Sequence, residues 1–303
     1  MKILFISSGS IGDAIIATGI LAYLMDSYPE AEFTVAAGPA AAPLFKPCPR
    51  VARVIVVRKE PWNRHWLHLW QQTCDTKWDA VIDLRGSLLG YLLNAKKRFV
   101  FRRPDKSLSK AGQLAAMLDL PEPPPPRLWS SEESRTAARA LLPQGKTVVV
   151  LAPRTNSEAK DWPLDRFAEL ARRLKRDNTV FAVLATPAQQ PSLKSLFMGF
   201  PPDQMLDLSG KTDLLAAYAI IEQAKLFIGN DSGLLHMAAA AGTPAVGIYG
   251  PSNDKTYAPR GPKVRIVTAM DFKPGEEEKR DNRFMQMISV DKVEAAARDL
   301  GVL

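Results

Sequence analysis

Asp231, Ser232, Gly233 and His236 fall within one short stretch, directly after the apolar run Leu226-Phe227-Ile228 and the small turn Gly229-Asn230. A carboxylate, a hydroxyl, a glycine and an imidazole in that order suit the start of a helix that follows a strand. Such a start presents unpaired backbone N–H groups and the positive end of the helix dipole, which together favour an anion. Each residue also has a plainer reading. Asp231 or Ser232 can serve as an ordinary N-cap, His236 can be a structural histidine, and the alanines from Ala238 to Ala241 can be a helix packed closely on a sheet. Taken together, the turn, the polar cap and the histidine point to an anion or nucleotide site.

Other residues could join such chemistry. Asp13 follows the loop Ser8-Gly9-Ser10-Ile11-Gly12 at the start of an apolar helix. It is either a first-turn acid favoured by the dipole or a general base. Lys160 ends the polar loop Pro153-Arg154-Thr155-Asn156-Ser157-Glu158-Ala159 and precedes Asp161-Trp162-Pro163. Seven basic residues (Lys96, Lys97, Arg98, Arg102, Arg103, Lys106 and Lys110) stand against Asp105 alone over 15 positions. That run is either a solvated face or a patch for an acidic partner. His65 and His68 lack a nearby carboxylate or cysteine to complete a ligand set, so no metal site is expected. Trp62, Trp66 and Trp70 recur every four residues. They predict an aromatic stripe on one helix, most simply core, with docking at a membrane surface as the alternative.

The elements that must position these residues alternate. Strands are expected at Lys2–Ser7, Glu32–Ala37, Val51–Val57, Trp78–Leu84, Thr147–Ala152, Val180–Leu184, Met205–Leu208 and Ala245–Tyr249. Helices are expected at Ala14–Met25, at 130–142 capped by Ser130, at Leu164–Arg176, at Asp213–Gln223 and after Ser289. This is α/β alternation in both halves, with Asp13, Arg85, the polar loop before Lys160 and the turn at Asp231 each following a strand, at the carboxyl edge where open parallel sheets bind ligands. Pro121 to Pro126 is a stiff, proline-rich hinge. The expected division is residues 1–128, a linker and helix over 129–145, and residues 146–303.

The 303 residues suffice for two domains, and 46% hydrophobic residues suffice for their cores. No apolar run reaches membrane-spanning length, and two cysteines make no disulfide framework. A cytoplasmic protein is expected. The net charge of +8 is concentrated in the first half, where residues 1–130 carry 17 Lys and Arg against 11 Asp and Glu. An anionic partner is therefore expected there. Nucleic acid fits the charge, but no recognised binding motif accompanies it.

The run Asp231-Ser232-Gly233-x-x-His236-x-Ala-Ala-Ala-x-Gly242-x-Pro244, followed by Gly250-Pro251-Ser252, resembles the signature of glycosyltransferase family 9, the heptosyltransferases of lipopolysaccharide synthesis. Ser10-x-Gly12-Asp13, the strand and loop Trp78 to Ser87, Lys160-x-Trp162-Pro163 and Gly210-Lys211-Thr212 are similar to further family motifs. Thr186-Pro187-Ala188-Gln189-Gln190 departs from the glycine-containing turn and acidic residue usual there. The resemblance implies GT-B, two Rossmann-like domains with mainly parallel sheets facing across a cleft. It implies an inverting transfer of a sugar, expected to be heptose, from a nucleotide-diphosphate donor, expected to be ADP-heptose, to a lipopolysaccharide-core-type acceptor. Asp13 would be the catalytic base. Thr155, Lys160, Asp231, Ser232, Gly233 and His236 would meet the donor. Arg85, Lys97, Arg98, Arg102 and Arg103 would face an anionic glycolipid or glycan acceptor. No cofactor or metal is implied, and a peripheral contact at the inner face of the inner membrane is left open. The alternatives are a nucleotide-sugar epimerase of the same fold, a non-catalytic nucleotide-sugar binder, and an anionic-surface binding module.

Overall fold

The computed structural model describes residues 1–102, 105–273, 276 and 281–302. The chain divides into two compact units, Met1–Trp129 and Ser130–Leu303. Each is built on one sheet whose strands pair in parallel.

The first unit runs β1 (Lys2–Ile6), α1 (Ile11–Ser27), β2 (Glu32–Ala37), β3 (Val51–Val56), α2 (Arg64–Gln71), β4 (Trp78–Asp83), α3 (Leu89–Leu92), β5 (Ala95–Val100) and α4 (Lys110–Ala116). Its strand order is β3-β2-β1-β4-β5. The central strands are buried on both faces, which is why β1 reads as a continuous apolar run. The order reverses between β1 and β4, so the loops after these two strands flank the switch point, where ligands of such sheets bind.

Local chemistry fixes the first of those loops. Ser10 caps α1 by accepting the Asp13 N–H at 3.3 Å, and its hydroxyl donates to Asp13 Oδ2 at 2.8 Å. The same loop passes so close to the end of β2 that a Cβ at Gly38 would stand 2.5 Å from the Gly9 Cα. Only a glycine fits there without moving backbone.

Two expectations for this unit need correction. The segment Lys96–Arg98 belongs to β5, an edge strand that the sequence reading passed over in favour of its charge. Lysines on an edge strand also discourage pairing with another chain. The three tryptophans do not form one buried helical stripe. Trp62 and Asn63 both take left-handed backbone conformations (φ 56° each) after Pro61, and α2 starts only at Arg64. The helix then turns His65 and Leu69 into the core, with Trp66 partly packed and Trp70 exposed.

The second unit runs α5 (Glu132–Leu141), β6 (Thr147–Ala152), α6 (Leu164–Leu174), β7 (Thr179–Val183), α7 (Lys194–Phe197), β8 (Met205–Asp207), α8 (Leu214–Gln223), β9 (Leu226–Asn230), α9 (Gly233–Ala241), β10 (Ala245–Tyr249), α10 (Asp254–Tyr257), β11 (Val264–Thr268), α11 (Arg283–Gln286) and α12 (Val290–Asp299). The order β11-β10-β9-β6-β7-β8 reverses between β6 and β9. On one face, α6 and α12 contribute Phe167, Leu170, Val293 and Ala297 to a core with Val149, Leu151, Ile228 and Val246 of the sheet. Strand β11 was not foreseen from sequence. The cap of α5 is Ser131, which accepts the Ser134 N–H at 3.1 Å, and not Ser130. Ser130 instead donates its hydroxyl to Glu222 of α8. Gly242 ends α9 in the left-handed region at φ 69°, the usual stop for a helix.

Replacing Gly38 by alanine is expected to cost about 1–3 kcal/mol, since the added methyl meets backbone rather than a side chain that could swing away. Urea unfolding of the variant would show the lowered midpoint with an unchanged slope.

Candidate active site

Lys160 and Asp231 meet at the switch point of the second sheet. Lys160 follows β6 and Asp231 follows β9, and Lys160 Nζ lies 2.9 Å from Asp231 Oδ2. The Asp231 side chain is only 11% exposed. Burial by itself pushes its carboxyl up, but the Lys160 ammonium, with a smaller contribution from His236, outweighs that and holds it below the usual carboxylate range.

The two loops are tied by further bonds. Asn230, fully buried, accepts the Trp162 N–H at 3.2 Å and donates to the Pro153 carbonyl at 2.8 Å, so it joins both ends of the β6 loop to the end of β9. Asp161 accepts the Thr155 N–H at 2.8 Å and pairs with Arg154 at 3.2 Å. Burial raises the Asp161 carboxyl in spite of those bonds. The Thr155 hydroxyl bonds within its own loop, donating to the Ser157 carbonyl at 2.8 Å. Gln189, from the segment that departs from the family pattern, donates to the Thr155 carbonyl at 2.7 Å. Asn282 closes the outer side by donating to the carbonyls of Glu158 and Asp161. None of Asn230, Asp161 or Asn282 was singled out from sequence. Asn230 was the most findable, as the last residue of a strand before a polar helix start.

Ser232 is the N-cap of α9 but makes no side-chain cap bond. Its hydroxyl oxygen is buried and has no hydrogen-bond partner among the described residues. By contrast, Ser10, Ser109, Ser131, Asp213 and Ser289 all turn back onto the first turns of their helices. Gly233 begins α9, and His236 is buried one turn in. Gly250, after the neighbouring β10, is held against α11 so closely that a Cβ would stand 2.3 Å from Met285 Sδ. Lys160, Asp231, Ser232, Gly233 and His236 are thus brought to one sheet edge. A cation beside the N–H groups of a helix start can hold a phosphate.

In the first unit, Asp13 and Arg85 follow the two strands that flank that sheet's switch point. Asp13 Oδ2 accepts from Ser10 and, at 3.5 Å, from Ser8. Asp83 ends β4 and is buried. It accepts the N–H of Arg85 at 2.9 Å and both the N–H and hydroxyl of Ser87 at 2.8 and 2.6 Å, which shapes the Arg85–Ser87 loop. Burial raises its carboxyl, since these bonds only partly offset the desolvation. The Arg85 guanidinium stacks 5.0 Å from the Trp66 ring centroid, and that of Arg102 stacks 4.7 Å from Tyr91. Arg98 donates to the carbonyls of Ala95 and Leu93. Lys97 is exposed on β5, and Arg103 lies outside the described residues. The ring Nδ1 atoms of His65 and His68 both turn to Glu60.

The profile of glycosyltransferase family 9 (heptosyltransferase) matches residues 107–288, more than half the chain. The chain belongs to that family. It is a glycosyltransferase, as the motifs at Asp13, Lys160 and Asp231 suggested. It is 25% identical over 305 residues to lipopolysaccharide heptosyltransferase 2 of Salmonella typhimurium, covering 88% of each chain. Among solved structures it resembles the family 9 glycosyl transferase of Veillonella parvula (TM-score 0.82, 21% identity, 99% of this chain and 96% of that one). It also resembles the ADP-heptose lps heptosyltransferase II of E. coli (TM-score 0.79, 24% identity, 99% and 98%). The fold is GT-B, two Rossmann-like domains with parallel sheets.

Removing the Lys160 charge strands a buried carboxylate. Lys160→Met is expected to lower stability at about pH 7 by about 2 kcal/mol, read by urea unfolding. In the native protein the Asp231 carboxyl titrates below its unfolded value of 3.8. The stability it contributes is therefore complete above that value and lost as pH falls through the folded one. The deficit of Lys160→Met should accordingly shrink on acidification.

Proposed function

We propose that this glycosyltransferase moves a heptose from ADP-heptose to a lipopolysaccharide-core-type acceptor in the cytoplasm, with inversion at the anomeric carbon. The donor and acceptor classes rest on the names of its relatives, which are lipopolysaccharide and ADP-heptose heptosyltransferases. The observation that carries the assignment of the donor site is the meeting of Lys160 and Asp231 at a switch point, beside the start of α9.

In this reading the second unit holds the donor. Lys160, the N–H groups of Ser232 and Gly233, and His236 take the diphosphate, with Asp231 holding the lysine in place and Thr155 shaping the adjoining loop. Arg85, Lys97, Arg98, Arg102 and Arg103 belong to the acceptor side. The acceptor hydroxyl oxygen attacks the anomeric carbon while the bond from that carbon to the phosphate oxygen breaks. Asp13 takes the hydroxyl proton, and the electron pair leaves with ADP. Attack and departure on opposite faces give inversion in one step. Negative charge grows on the leaving diphosphate, so a fixed ammonium and fixed N–H groups stabilise the transition state more than the bound donor. The charge is met by protein groups alone in this scheme, which calls for no metal or cofactor.

The donor assignment is tested by thermal unfolding with ADP, GDP, UDP and CDP. ADP is expected to raise the melting temperature through mass action, and Lys160→Ala to remove most of that rise. Equal shifts from all four nucleotides would sink the adenine assignment. The base is tested separately: Asp13→Asn should keep the ADP-induced rise but lose about 10²–10⁴-fold in kcat. Near-normal turnover would remove Asp13 from the role.

A further inference from the structure

The second unit carries a cavity that the transfer reaction does not use. Helix α5 packs on α8, and a hollow of about 290 Å³ there is lined by Arg135 and Arg139 of α5 and by Glu222 and Gln223 of α8. Its size is close to the small end of ligand pockets. Gln223 ends α8, and β9 begins at Leu226. The cavity therefore stands at the amino edge of the sheet, whereas Lys160 and Asp231 stand at the carboxyl edge.

The charges that line it are held apart. Arg135 and Arg139 are one helical turn apart and share a face of α5. Among the described residues, Arg139 pairs with the exposed Glu132 at 3.1 Å and Arg135 pairs with no carboxylate, so Glu222 closes on neither. Glu222 is engaged by neutral neighbours instead. It accepts the Ser130 hydroxyl, and the Tyr218 phenol hydrogen-bonds to it as well. Tyr218 is 3% exposed. Burial, followed by the Glu222 charge, pushes its phenol up, so it remains a donor. These donors fix the carboxylate and leave the guanidiniums to another partner. Gln223 donates to the Ala219 carbonyl at 2.8 Å, which leaves its side-chain oxygen as an acceptor.

These groups specify a ligand. Two planar guanidiniums one turn apart can clamp a tetrahedral phosphate from two sides, where a carboxylate is met by one fork alone. The acceptors of Glu222 and Gln223 call for donors without negative charge, and hydroxyl groups supply them. We propose that the α5–α8 cavity is a second binding site, for a sugar phosphate, with the phosphate on Arg135 and Arg139 and the sugar hydroxyls on Glu222 and Gln223. A ligand there shares Glu222 with Ser130, the first residue of the second unit.

The test is isothermal titration of the full chain with glucose 6-phosphate, glucose and inorganic phosphate. Glucose 6-phosphate is expected to bind, and glucose and phosphate each at least about tenfold more weakly, since each meets only half of the site. The double variant Arg135→Gln, Arg139→Gln should bind glucose 6-phosphate at least about tenfold more weakly than the parent. Its melting temperature without ligand should match the parent's, because exposed ion pairs contribute little. Arg135→Gln alone is the check if the double variant folds poorly. Folded Lys160→Ala should bind glucose 6-phosphate like the parent, since that lysine stands at the other edge of the sheet. Four results would each overturn the proposal. They are no binding by the parent, parent-like binding by the arginine variants, phosphate bound as tightly as glucose 6-phosphate, and loss of binding in folded Lys160→Ala. The last would put the ligand at the donor site. Nucleotide-induced stabilisation is measured without glucose 6-phosphate, so its failure and the failure of this site are separate outcomes.

Discussion

A carboxylate that is largely out of water must have a counter-charge or give up its ionisation, and Asp231 keeps its charge by holding Lys160. That requirement organises the second unit's binding edge. The loop after β6 has to close over the end of β9 for the pair to form. Asn230 and Asp161 secure the closure through backbone groups, and Asn282 fastens it from outside. The start of α9 then lies beside a cation already fixed in direction. As the proposed donor site it would need little reorganisation to take a diphosphate, which is what preorganised electrostatic stabilisation requires.

The first unit repeats the topology with different chemistry. Asp83 ends β4 and Asp231 directly follows β9, both beside switch points and both largely buried, yet their carboxyls shift in opposite directions. The difference is the counter-charge. Asp231 has an ammonium at 2.9 Å, whereas Asp83 has only N–H and hydroxyl donors, which do not recover the full cost of desolvation. Asp83 therefore acts as a shaping residue that folds the Arg85–Ser87 loop. Asp13 is held at the surface end of α1 by two serines, where one carboxylate oxygen is engaged by hydroxyls.

The α2–α3 face shows how a local pattern can mislead. A four-residue spacing of tryptophans looks like one side of a helix, and in isolation such a side is a core. Pro61 and the two left-handed residues after it delay the helix to Arg64 and rotate His65 and Leu69 inward. Trp62 and Trp70 are left exposed, while Trp66 packs against the core. In the same region, the charges of Lys96 to Arg98 hid an edge strand. An edge strand has one unpaired side and tolerates lysines that a central strand would not.

Much of the molecule was legible in the sequence because it depends on neighbours along the chain. Continuous apolar runs, caps and glycine stops fixed most strands and helices, and hence the two Rossmann-like halves. The motifs at Asp13, Lys160 and Asp231 carried the family. What only tertiary structure decided is the set of partners. Lys160 and Asp231 are 71 residues apart, and nothing local says that β6 and β9 lie side by side. That adjacency comes from the strand order of a parallel sheet, in which neighbouring strands are joined by crossovers rather than tight turns. The same holds for Asn230 and Asp161, ordinary polar residues until the sheet brings two loops to one edge. Burial and the counter-charge, which together set the direction of each carboxyl's shift, are likewise properties of the packed layers, as is the exposure of Trp62, and have no expression in sequence spacing.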